Sequence, residues 1–415
     1  MPTQKIKKLK NQISIARLSR LKGIAEFLPA SKSISNRALI ICALSQTDSS
    51  ALRNLSDAND TQLMLRLIKS EDEVINVEDA GTTMRFLTAY FAITDKKKTL
   101  TGTPRMRERP IGILVDALRS LGASVEYLGK EGFPPHKTLG FDKQLTNHIK
   151  IKGNISSQFI SAIMMIAPTL PNGLKIELTG KIGSRPYIEM TASLMKHFGA
   201  KCSFIENVIE VAAQPYKSNQ LFVEADWSAV SYWFAFVALA DDGEITLKHL
   251  FKDSLQGDQA IQAIMNNLGV DSEYLADGTL QLKKKSHEKE ISWDFTHCPD
   301  LAQTVAVVCA VKGVKGNFTG LESLRIKETD RIAALQNELR KINADLLEEN
   351  GKWTLVPSSS LPTDVHIETY EDHRMAMAFA PLATVMNLTL ENPEVVRKSY
   401  PKYWMDMRAL GFSIV

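Results

Sequence analysis

The chain has 415 residues, with 50 Lys and Arg against 47 Asp and Glu, so its formal net charge is only +3. This near balance gives no sign of a nucleic-acid or membrane-binding surface, and any positive field has to be local. The length is too great for one common core and favours two domains of about 200 residues. Four scattered cysteines are typical of buried thiols in a reducing compartment, and no apolar segment is long enough to span a bilayer. We therefore expect a cytoplasmic protein.

The first strong feature is the polar segment Leu28–Arg37, which leads into an apolar helix. Three serines and one asparagine stand where that helix has to begin. The first turn of a helix has unpaired backbone N–H groups and the positive end of the dipole. Together with Lys32 and Arg37, it predicts a site for a doubly charged anion, most simply a phosphate. A serine-capped helix with two solvated cations is the alternative at this point.

An internal repeat organises the rest of the chain. In each copy an amphipathic helix ends at a Gly or Asn, which tolerates a left-handed helix cap, and a strand follows. These positions are Gly122, Gly199, Gly269, Asn343 and Gly411. A sixth, shortened copy is expected earlier, with its helix at Thr61–Ile68 and its strands compressed into Lys69–Val77. Units of about 70 residues predict an α/β (α+β) fold with three units in each of two domains.

The domain boundary is predicted from two candidate crossovers, Pro29-Ala30 and Glu224-Ala225. Residues 30–224 would then form an upper lobe. Residues 1–29 and 225–415 would form a discontinuous lower lobe, with the active cleft between the two lobes. No low-complexity linker separates them, so we expect a tight hinge.

Cationic and hydroxyl side chains gather where the helices of these units are expected to begin. The segments are Gly81–Arg85, Arg105–Pro110, Ser156–Gln158, Ser184–Tyr187, Pro299–Asp300, Arg325–Arg331 and Asp372–Arg374. A cleft lined by these helix starts would suit ligands that carry several negative charges. Asp60, Asp300 and Glu328 are then the acid/base candidates. The histidines show no metal-ligand spacing, so no metal is expected.

Together these stretches resemble the 5-enolpyruvylshikimate-3-phosphate (EPSP) synthase family over nearly the whole chain and in the same order. The motifs that carry the resemblance are Ser31–Arg37, Ala80–Arg85, Arg105–Pro110, Ser156–Phe159, Lys327–Arg331 and Asp372–Met377. The resemblance implies a two-lobed enolpyruvyl-transferase fold with three βαβαββ units in each lobe, helices inside and sheets outside. The first unit of the upper lobe would be the shortened one.

The resemblance also implies an activity in the shikimate pathway, which supplies aromatic amino acids. The enolpyruvyl group of phosphoenolpyruvate would pass to the 5-hydroxyl of shikimate 3-phosphate, and phosphate would be released. The resemblance implies that no cofactor is used and that glyphosate inhibits the enzyme. These two small molecules are the partners that we expect for a monomer that binds neither nucleic acid nor membrane.

The resemblance further assigns residues to each ligand. Shikimate 3-phosphate is expected at Lys32, Ser33, Arg37, Ser156, Ser157, Gln158, Ser184, Tyr187, Asp300, Ser323 and Lys327. Phosphoenolpyruvate is expected at Lys32, Gly81, Arg109, Gln158, Arg331, Arg374 and Lys398. Among the catalytic residues, Asp300 is implied as the proton acceptor for the 5-hydroxyl and Glu328 as the group that handles the methylene proton. Lys32 is the third.

The sequence departs from the family pattern at four positions near these motifs. Ala30 stands where Gly is usual, Asp79 where Asn is usual, and Phe86 where Pro is usual. Ser323 stands where an Asn usually contacts the shikimate phosphate. Asp79 therefore adds a carboxylate beside the expected phosphoenolpyruvate site.

Two other functions compete with this interpretation. The sister enolpyruvyl transferase that acts on UDP-N-acetylglucosamine usually carries a reactive Cys in a loop that corresponds to Thr103–Pro110, and this stretch contains none. An inactive paralogue that only binds anions is supported by Asp79 and by the shortened first unit. Every implied catalytic residue is present, which disfavours the inactive paralogue.

Overall fold

The computed structural model describes residues 11–46, 49–94 and 96–415. Residues 1–10 of the predicted lower lobe therefore lie outside the described residues. The first part of the chain forms β1 (Gln12–Ile15), β2 (Arg20–Ala25), α1 (Lys32–Leu44), β3 (Leu52–Arg53), α2 (Asn59–Leu67), β4 (Val74–Asn76), α3 (Gly81–Ala92), β5 (Lys98–Thr101), α4 (Pro104–Arg107), α5 (Gly112–Leu121), β6 (Ala123–Tyr127), β7 (His136–Phe141), β8 (His148–Lys152), α6 (Ser157–Ile166), β9 (Leu174–Thr179), α7 (Arg185–His197), β10 (Cys202–Ile205), β11 (Val208–Val211) and β12 (Leu221–Phe222).

The second part forms α8 (Trp227–Leu239), β13 (Asp242–Leu247), α9 (Ile261–Asn267), β14 (Val270–Tyr274), β15 (Leu280–Lys284), β16 (Glu290–Asp294), α10 (Ala302–Lys312), β17 (Lys315–Thr319), α11 (Arg331–Arg340), β18 (Asp345–Glu349), β19 (Lys352–Val356), β20 (Asp364–Ile367), α12 (His373–Phe379), β21 (Asn387–Glu391) and α13 (Tyr403–Ala409). Short 3-10 helices join several of these elements. Across the stretches that the structure describes, no helix is both long and apolar enough to cross a membrane.

Four of the sheets in the described part of the chain repeat one arrangement. Their strand orders are β4-β5-β7-β6, β8-β9-β11-β10, β2-β13-β15-β14 and β16-β17-β19-β18. In each sheet the first two strands are parallel and the remaining pairs are antiparallel. The two parallel strands are joined by a helical connection, as such pairs require, except that β2 and β13 are far apart in the chain. This is the strand order of the βαβαββ unit.

The other two sheets complete the set. One has the order β1-β21-β20, and Ile15 also forms a bridge with Ile414. The other is a two-stranded parallel pair of β3 and β12. Helices α1 and α2 flank β3 in the chain, so the first unit is present in a shortened form, as predicted.

The prediction that Lys69–Val77 contains two compressed strands of the first unit is wrong. The only strand there is β4, which is the first strand of the following sheet and pairs with β5. The preceding residues are strongly polar, and the hydroxyl of Ser70 donates to Asp72 at 2.8 Å in an exposed turn. Because a strand needs side chains that fit a half-buried surface, this acidic segment forms a loop and the first unit has no hairpin.

The five repeated helix ends adopt the backbone conformation that the sequence predicted. The φ angles are +113° at Gly122, +82° at Gly199, +95° at Gly269, +59° at Asn343 and +100° at Gly411. These angles lie in the left-handed region, where Gly has no Cβ to clash and Asn is tolerated. The prediction of left-handed caps is therefore confirmed.

The buried apolar side chains form two clusters. One, the first cluster, runs from Ala30 to Val223. The other, the second cluster, takes residues from Ile15 to Ala25 and from Ala225 to Ile414. Helix α8 is buried at every residue except Ser228, whereas strands such as β9 alternate buried and exposed side chains. Helices therefore occupy the interior and the sheets have one face toward solvent.

The chain passes between the two clusters at two adjacent points. Ala30 and Ala225 form an antiparallel bridge. The N–H of Ser31 donates to Glu224 O at 2.8 Å, and the N–H of Asp226 donates to Pro29 O at 2.9 Å. Helices α1 and α8 begin directly after these crossings, so their N-terminal ends are held side by side.

Candidate active site

The first part of the site is the N-terminal end of α1. Ser31 caps the helix by accepting from the N–H of Ile34 at 3.4 Å. The backbone N–H of Lys32 donates to Asp226 Oδ2 at 3.2 Å, and Asp226 in turn caps α8 through the N–H of Ser228. The ammonium of Lys32 lies 3.2 Å from the buried carboxylate of Asp60. Lys32 is therefore held by one acidic group at its backbone and another at its side chain.

Arg37 points into protein. Its guanidinium donates to Thr191 Oγ1 at 2.7 Å, Ser161 Oγ at 3.1 Å and Ser33 O at 2.9 Å. Burial lowers the pKa of Arg37 to about 10. The structure thus gives this arginine partners from α6 and α7, and it joins three helices that carry candidate ligand groups.

The N-terminal ends of α6 and α3 meet through their side chains. Gln158 donates from Nε2 to Thr82 Oγ1 at 3.0 Å, and Ser156 caps α6 by accepting from the N–H of Gln158 at 3.4 Å. Ser157 is buried beside them. The structure therefore brings the predicted hydroxyl and amide groups of this segment next to the Gly81 turn.

Ser184 and Tyr187 stand at the start of α7. Ser184 has a left-handed backbone with φ of +51°, and its N–H donates to Thr296 O at 3.0 Å. Burial, followed by the charges of Asp258 and Asp300, raises the pKa of Tyr187 well above its ordinary value. Tyr187 therefore remains a neutral hydrogen-bonding group close to the carboxylates of the second cluster.

Gly81 begins α3 in contact with two arginines. A Cβ at this position would lie 2.7 Å from Arg109 Nη1 and 2.8 Å from Arg85 Nη1. Arg85 donates to Gly81 O at 3.0 Å, while the buried Nε of Arg109 has no partner among the described residues. Burial and the charge of Arg109 lower the pKa of Arg85 well below its ordinary value. Two cations held this close favour an anion between or beside them.

Asp300 lies among three cations. Arg374 Nη2 donates to it at 2.8 Å and Arg331 Nη1 at 3.0 Å, and Lys327 Nζ lies 3.8 Å away. Burial opposes ionisation of the carboxyl group, but the charges of Arg374, Lys327 and Arg331 outweigh it and lower the pKa of Asp300 below its usual range. Asp300 is therefore ionised at neutral pH.

Glu328 shares Arg331 with Asp300. Arg331 Nη2 donates to Glu328 Oε2 at 2.8 Å, and Lys398 Nζ lies 3.6 Å from Oε1. Burial would raise the pKa of Glu328, but Arg331 and Lys398 lower it well below its ordinary value. Arg105 donates to the backbone oxygens of Glu328 at 3.2 Å and Lys327 at 3.4 Å, so a loop of the first cluster reaches this segment.

Lys398 contacts acidic residues from both parts of the chain. Its ammonium donates to Asp79 Oδ2 at 2.6 Å while it also faces Glu328. Burial opposes its charge, but Glu328, Asp60 and Asp79 raise the pKa of Lys398 above its ordinary value. Asp79, which stands where the family usually has Asn, thus pairs directly with Lys398, a residue predicted to bind phosphoenolpyruvate.

Sequence reasoning assigned no role to a set of supporting groups, although Asp372 stands in one of the segments expected to line the cleft. Asp372 binds Arg331 Nε at 2.7 Å and caps α12 at the N–H of Arg374 at 2.8 Å. Ser228 donates to the buried Asp258 and accepts from Arg374 at 3.4 Å. Burial and the charge of Asp300 raise the pKa of Asp258 to about 7. The helix-cap position signals Asp372, but nothing local marks Asp258.

One predicted ligand stands apart. Ser323 is exposed in the 3-10 helix Glu322–Ile326, and no hydrogen bond within the described ranges ties its hydroxyl to the charged groups. The other predicted residues lie at helix starts or among the cations around Asp300 and Glu328, except Arg37, which lies within α1, and Arg109, which lies beside Gly81. The combined arrangement places cations from both clusters around two carboxylates, which suits proton transfer on ligands with several negative charges.

Comparison with known proteins gives a consistent result. The profile of EPSP synthase (3-phosphoshikimate 1-carboxyvinyltransferase) matches residues 15–70 and 66–407, and the two matches meet at the shortened first unit. A 3-phosphoshikimate 1-carboxyvinyltransferase of Bacteroides fragilis is 50% identical over 395 residues, covering 93% of this chain and 95% of the relative. One from Shewanella halifaxensis is 34% identical over 431 residues, covering 97% and 100%.

Solved structures agree on the fold. The structure of EPSP synthase from Acinetobacter baumannii matches with a TM-score of 0.78 over 97% of this chain and 99% of that chain. Its sequence identity is 18%, so this likeness concerns the fold alone. With the family profile covering nearly the whole chain and a relative sharing half its residues, the chain belongs to the EPSP synthase family.

Proposed function

We propose that this protein transfers the enolpyruvyl group of phosphoenolpyruvate to the 5-hydroxyl of shikimate 3-phosphate and releases inorganic phosphate. The observation that carries the proposal is the position of Arg331, which contacts both Asp300 and Glu328 while Arg374, Lys327 and Lys398 surround them. Two acid/base groups are thus held within one field of cations. The naming of the 50%-identical relative supports the same reaction.

The proposed chemistry has two stages. Glu328 delivers a proton to C3 of phosphoenolpyruvate, which makes C2 cationic, and the 5-hydroxyl oxygen attacks C2 as its proton passes to Asp300. Glu328 then takes a proton back from C3, the C2=C3 double bond re-forms, and the C2–O bond to phosphate breaks with its electron pair on the phosphate. The proton on Asp300 leaves with the released phosphate or to solvent, which restores the base. Lys32, Arg109 and the cations around Glu328 stabilise that developing charge.

The ligands themselves would tune the two carboxylates. In the structure the surrounding cations keep the pKa values of Asp300 and Glu328 low. Anionic substrates bound to the same cations reduce their effect on the carboxylates, while exclusion of water disfavours the charged form. Both changes raise the pKa values, so each group becomes able to hold a proton during the reaction.

The remaining residue assignments are part of the proposal. Shikimate 3-phosphate would bind at Lys32, Ser33, Arg37, Ser156, Ser157, Gln158, Ser184, Tyr187, Asp300, Ser323 and Lys327. Phosphoenolpyruvate would bind at Gly81, Arg109, Gln158, Arg331, Arg374 and Lys398. Support for these groups comes from the two arginines packed against Gly81 and from the unpartnered Nε of Arg109.

We propose also that residues 30–224 act as the upper lobe and residues 1–29 with 225–415 as the lower lobe of a cytoplasmic monomer that binds no nucleic acid. The two separate buried clusters support the division. Cys42, Cys202, Cys298 and Cys309 are all buried, and none of them forms a disulfide within the described residues, which supports a reducing compartment. Light scattering on the purified protein tests the oligomeric state.

The reaction is tested by measuring phosphate release from phosphoenolpyruvate with shikimate 3-phosphate and, in parallel, with UDP-N-acetylglucosamine. We expect release with shikimate 3-phosphate alone. The loop Thr103–Pro110, where the sister enzyme usually has its Cys, contains none here, which favours this outcome. Release with UDP-N-acetylglucosamine alone would replace the proposal, and release with neither from folded protein would favour an anion-binding paralogue.

A further inference from the structure

The ammonium of Lys398 faces three protein oxygens and donates to two of them. Its side chain is 9% exposed, and Nζ lies 2.6 Å from Asp79 Oδ2, 3.3 Å from Asp79 O and 3.6 Å from Glu328 Oε1. An ammonium group has three N–H donors. Because Asp79 takes two of these donors and Glu328 faces the ammonium as well, a ligand oxygen that accepts from Lys398 has to compete with these protein oxygens.

The three acceptors differ in how easily they can move. Glu328 is 16% exposed and is held by Arg331 at 2.8 Å. The backbone oxygen of Asp79 is fixed next to the start of α3, where the N–H of Ala80 donates to Val77 O at 2.9 Å. The Asp79 carboxylate is 52% exposed, and Lys398 is its one partner within the described chain. This carboxylate is the acceptor that can turn into water at least cost.

We propose that Asp79 is an affinity-determining residue that competes with anionic ligands for Lys398. The inference rests on the proposed function, in which the ammonium of Lys398 donates a hydrogen bond to an oxygen of phosphoenolpyruvate. Binding then exchanges one carboxylate for another anion, so part of the attraction of Lys398 is already satisfied before the ligand arrives. The same exchange weakens the binding of released phosphate, which shares the site with the phosphoenolpyruvate phosphate.

The test is the variant Asp79→Asn, which keeps an oxygen near Lys398 but removes the negative charge. Because solvent screens the half-exposed Asp79 carboxylate, its charge is worth only a few-fold in affinity, and we expect the KM for phosphoenolpyruvate and the Kd for inorganic phosphate each to fall about threefold. The fall in KM should exceed any change in kcat, and the KM for shikimate 3-phosphate should stay the same. Asp79→Glu keeps the charge and should resemble the unmodified protein.

The chain offers a matched control. Asp57 pairs with Lys402 at 3.8 Å, their side chains are 43% and 48% exposed, and this pair too joins the two parts of the chain at the surface. Asp57→Asn removes a comparable charge without touching Lys398. It should leave both the KM for phosphoenolpyruvate and the Kd for phosphate unchanged.

Two results would overturn the proposal. If KM and the phosphate Kd rise or stay constant in Asp79→Asn, the carboxylate does not compete with the ligand and serves to hold the two parts together. If Asp57→Asn lowers the KM for phosphoenolpyruvate and the Kd for phosphate as much as Asp79→Asn does, the effect comes from the net charge of the protein and not from competition for Lys398. Phosphate binding is measured by calorimetry without turnover, so failure of the proposed reaction leaves this test intact.

Discussion

Replacing Asp300 with Asn separates proton transfer from ligand binding. The amide has nearly the same size, and its oxygen can still accept from Arg374 or Arg331, which donate to Asp300 at 2.8 and 3.0 Å. It cannot accept the proton of the 5-hydroxyl. A positioned general base contributes about 10²- to 10⁴-fold to a rate, so we expect kcat to fall by this factor, equivalent to about 3–5 kcal/mol of transition-state stabilisation.

Binding should respond in the opposite direction. The substitution removes one negative charge from among Arg374, Lys327 and Arg331. At a separation of about 8 Å and an effective dielectric constant of about 20–40, the loss of one repelling charge strengthens anion binding by about 1–2 kcal/mol. The KM values of both substrates should therefore fall or stay constant while kcat falls.

The pH dependence gives an independent check. The cations lower the pKa of Asp300, so its basic form dominates in the free enzyme at every pH above that lowered pKa. The pH dependence of kcat/KM reports the pKa values of the free enzyme. A fall in kcat/KM as the pH drops through the neutral range should therefore not come from Asp300. Any acidic limb due to this residue should lie below the ordinary range of an aspartate and should be absent in Asp300→Asn.

The assay is steady-state phosphate release at saturating phosphoenolpyruvate and shikimate 3-phosphate. Asp330→Asn is the matched control, because Asp330 caps α11 at the N–H groups of Ile332 and Ala333 and an Asn can take over this cap. The control should keep its turnover within about twofold, since no proton transfer step involves a cap residue. Near-native turnover in Asp300→Asn, with an unchanged melting temperature, would refute the role of Asp300 as the base.

Three further results are expected. Gly81→Ala places a Cβ 2.7 Å from Arg109 and 2.8 Å from Arg85. We expect the KM for phosphoenolpyruvate to rise about tenfold, equivalent to about 1.4 kcal/mol, and the KM for shikimate 3-phosphate to rise less. An unchanged ratio of the two KM values in steady-state assays would contradict this. Burial lowers the pKa of His136 to about 4, so the unfolded chain binds more protons below about pH 6.5 and the free energy of unfolding should fall by up to about 3 kcal/mol as pH drops from 7 to 4. In His136→Asn, denaturant melts should have a correspondingly flatter pH dependence, and equal slopes in both proteins would exclude this histidine as the cause. Small-angle scattering should show compaction when shikimate 3-phosphate is added, and a constant radius would argue against closure of the lobes.

Local patterns in the sequence predicted much of the fold. The Gly and Asn positions that end helices were visible because a left-handed cap demands particular residue types. The helix starts at Ser31 and Ser156 were visible because their hydroxyls satisfy free N–H groups. The prediction for Lys69–Val77 failed because the repeat was extrapolated through an acidic loop that has no strand pattern.

The partners of the site residues were less accessible to sequence reasoning. Arg37 bonds to Thr191, and Arg331 to Asp372, across long separations in the chain. Neither contact leaves a local signature, since it depends on how the helices pack. The same is true of Asp258, which sits in the 3-10 helix Gly257–Ala260 and accepts a hydrogen bond from Ser228.

The pairing of β1 and β2 with late strands sets an order for folding during synthesis. Arg20 of β2 pairs with Asp242, and Gln12 of β1 pairs with Glu391. At about 5–20 residues per second, Asp242 follows the end of the first cluster within a few seconds, whereas Glu391 follows about 10–30 seconds later. Until then β1 and β2 are unpaired strands that other chains can bind, which favours aggregation of incomplete chains. Because Lys398 follows β21 in the chain, the charged site is complete only after both partner strands have been synthesised.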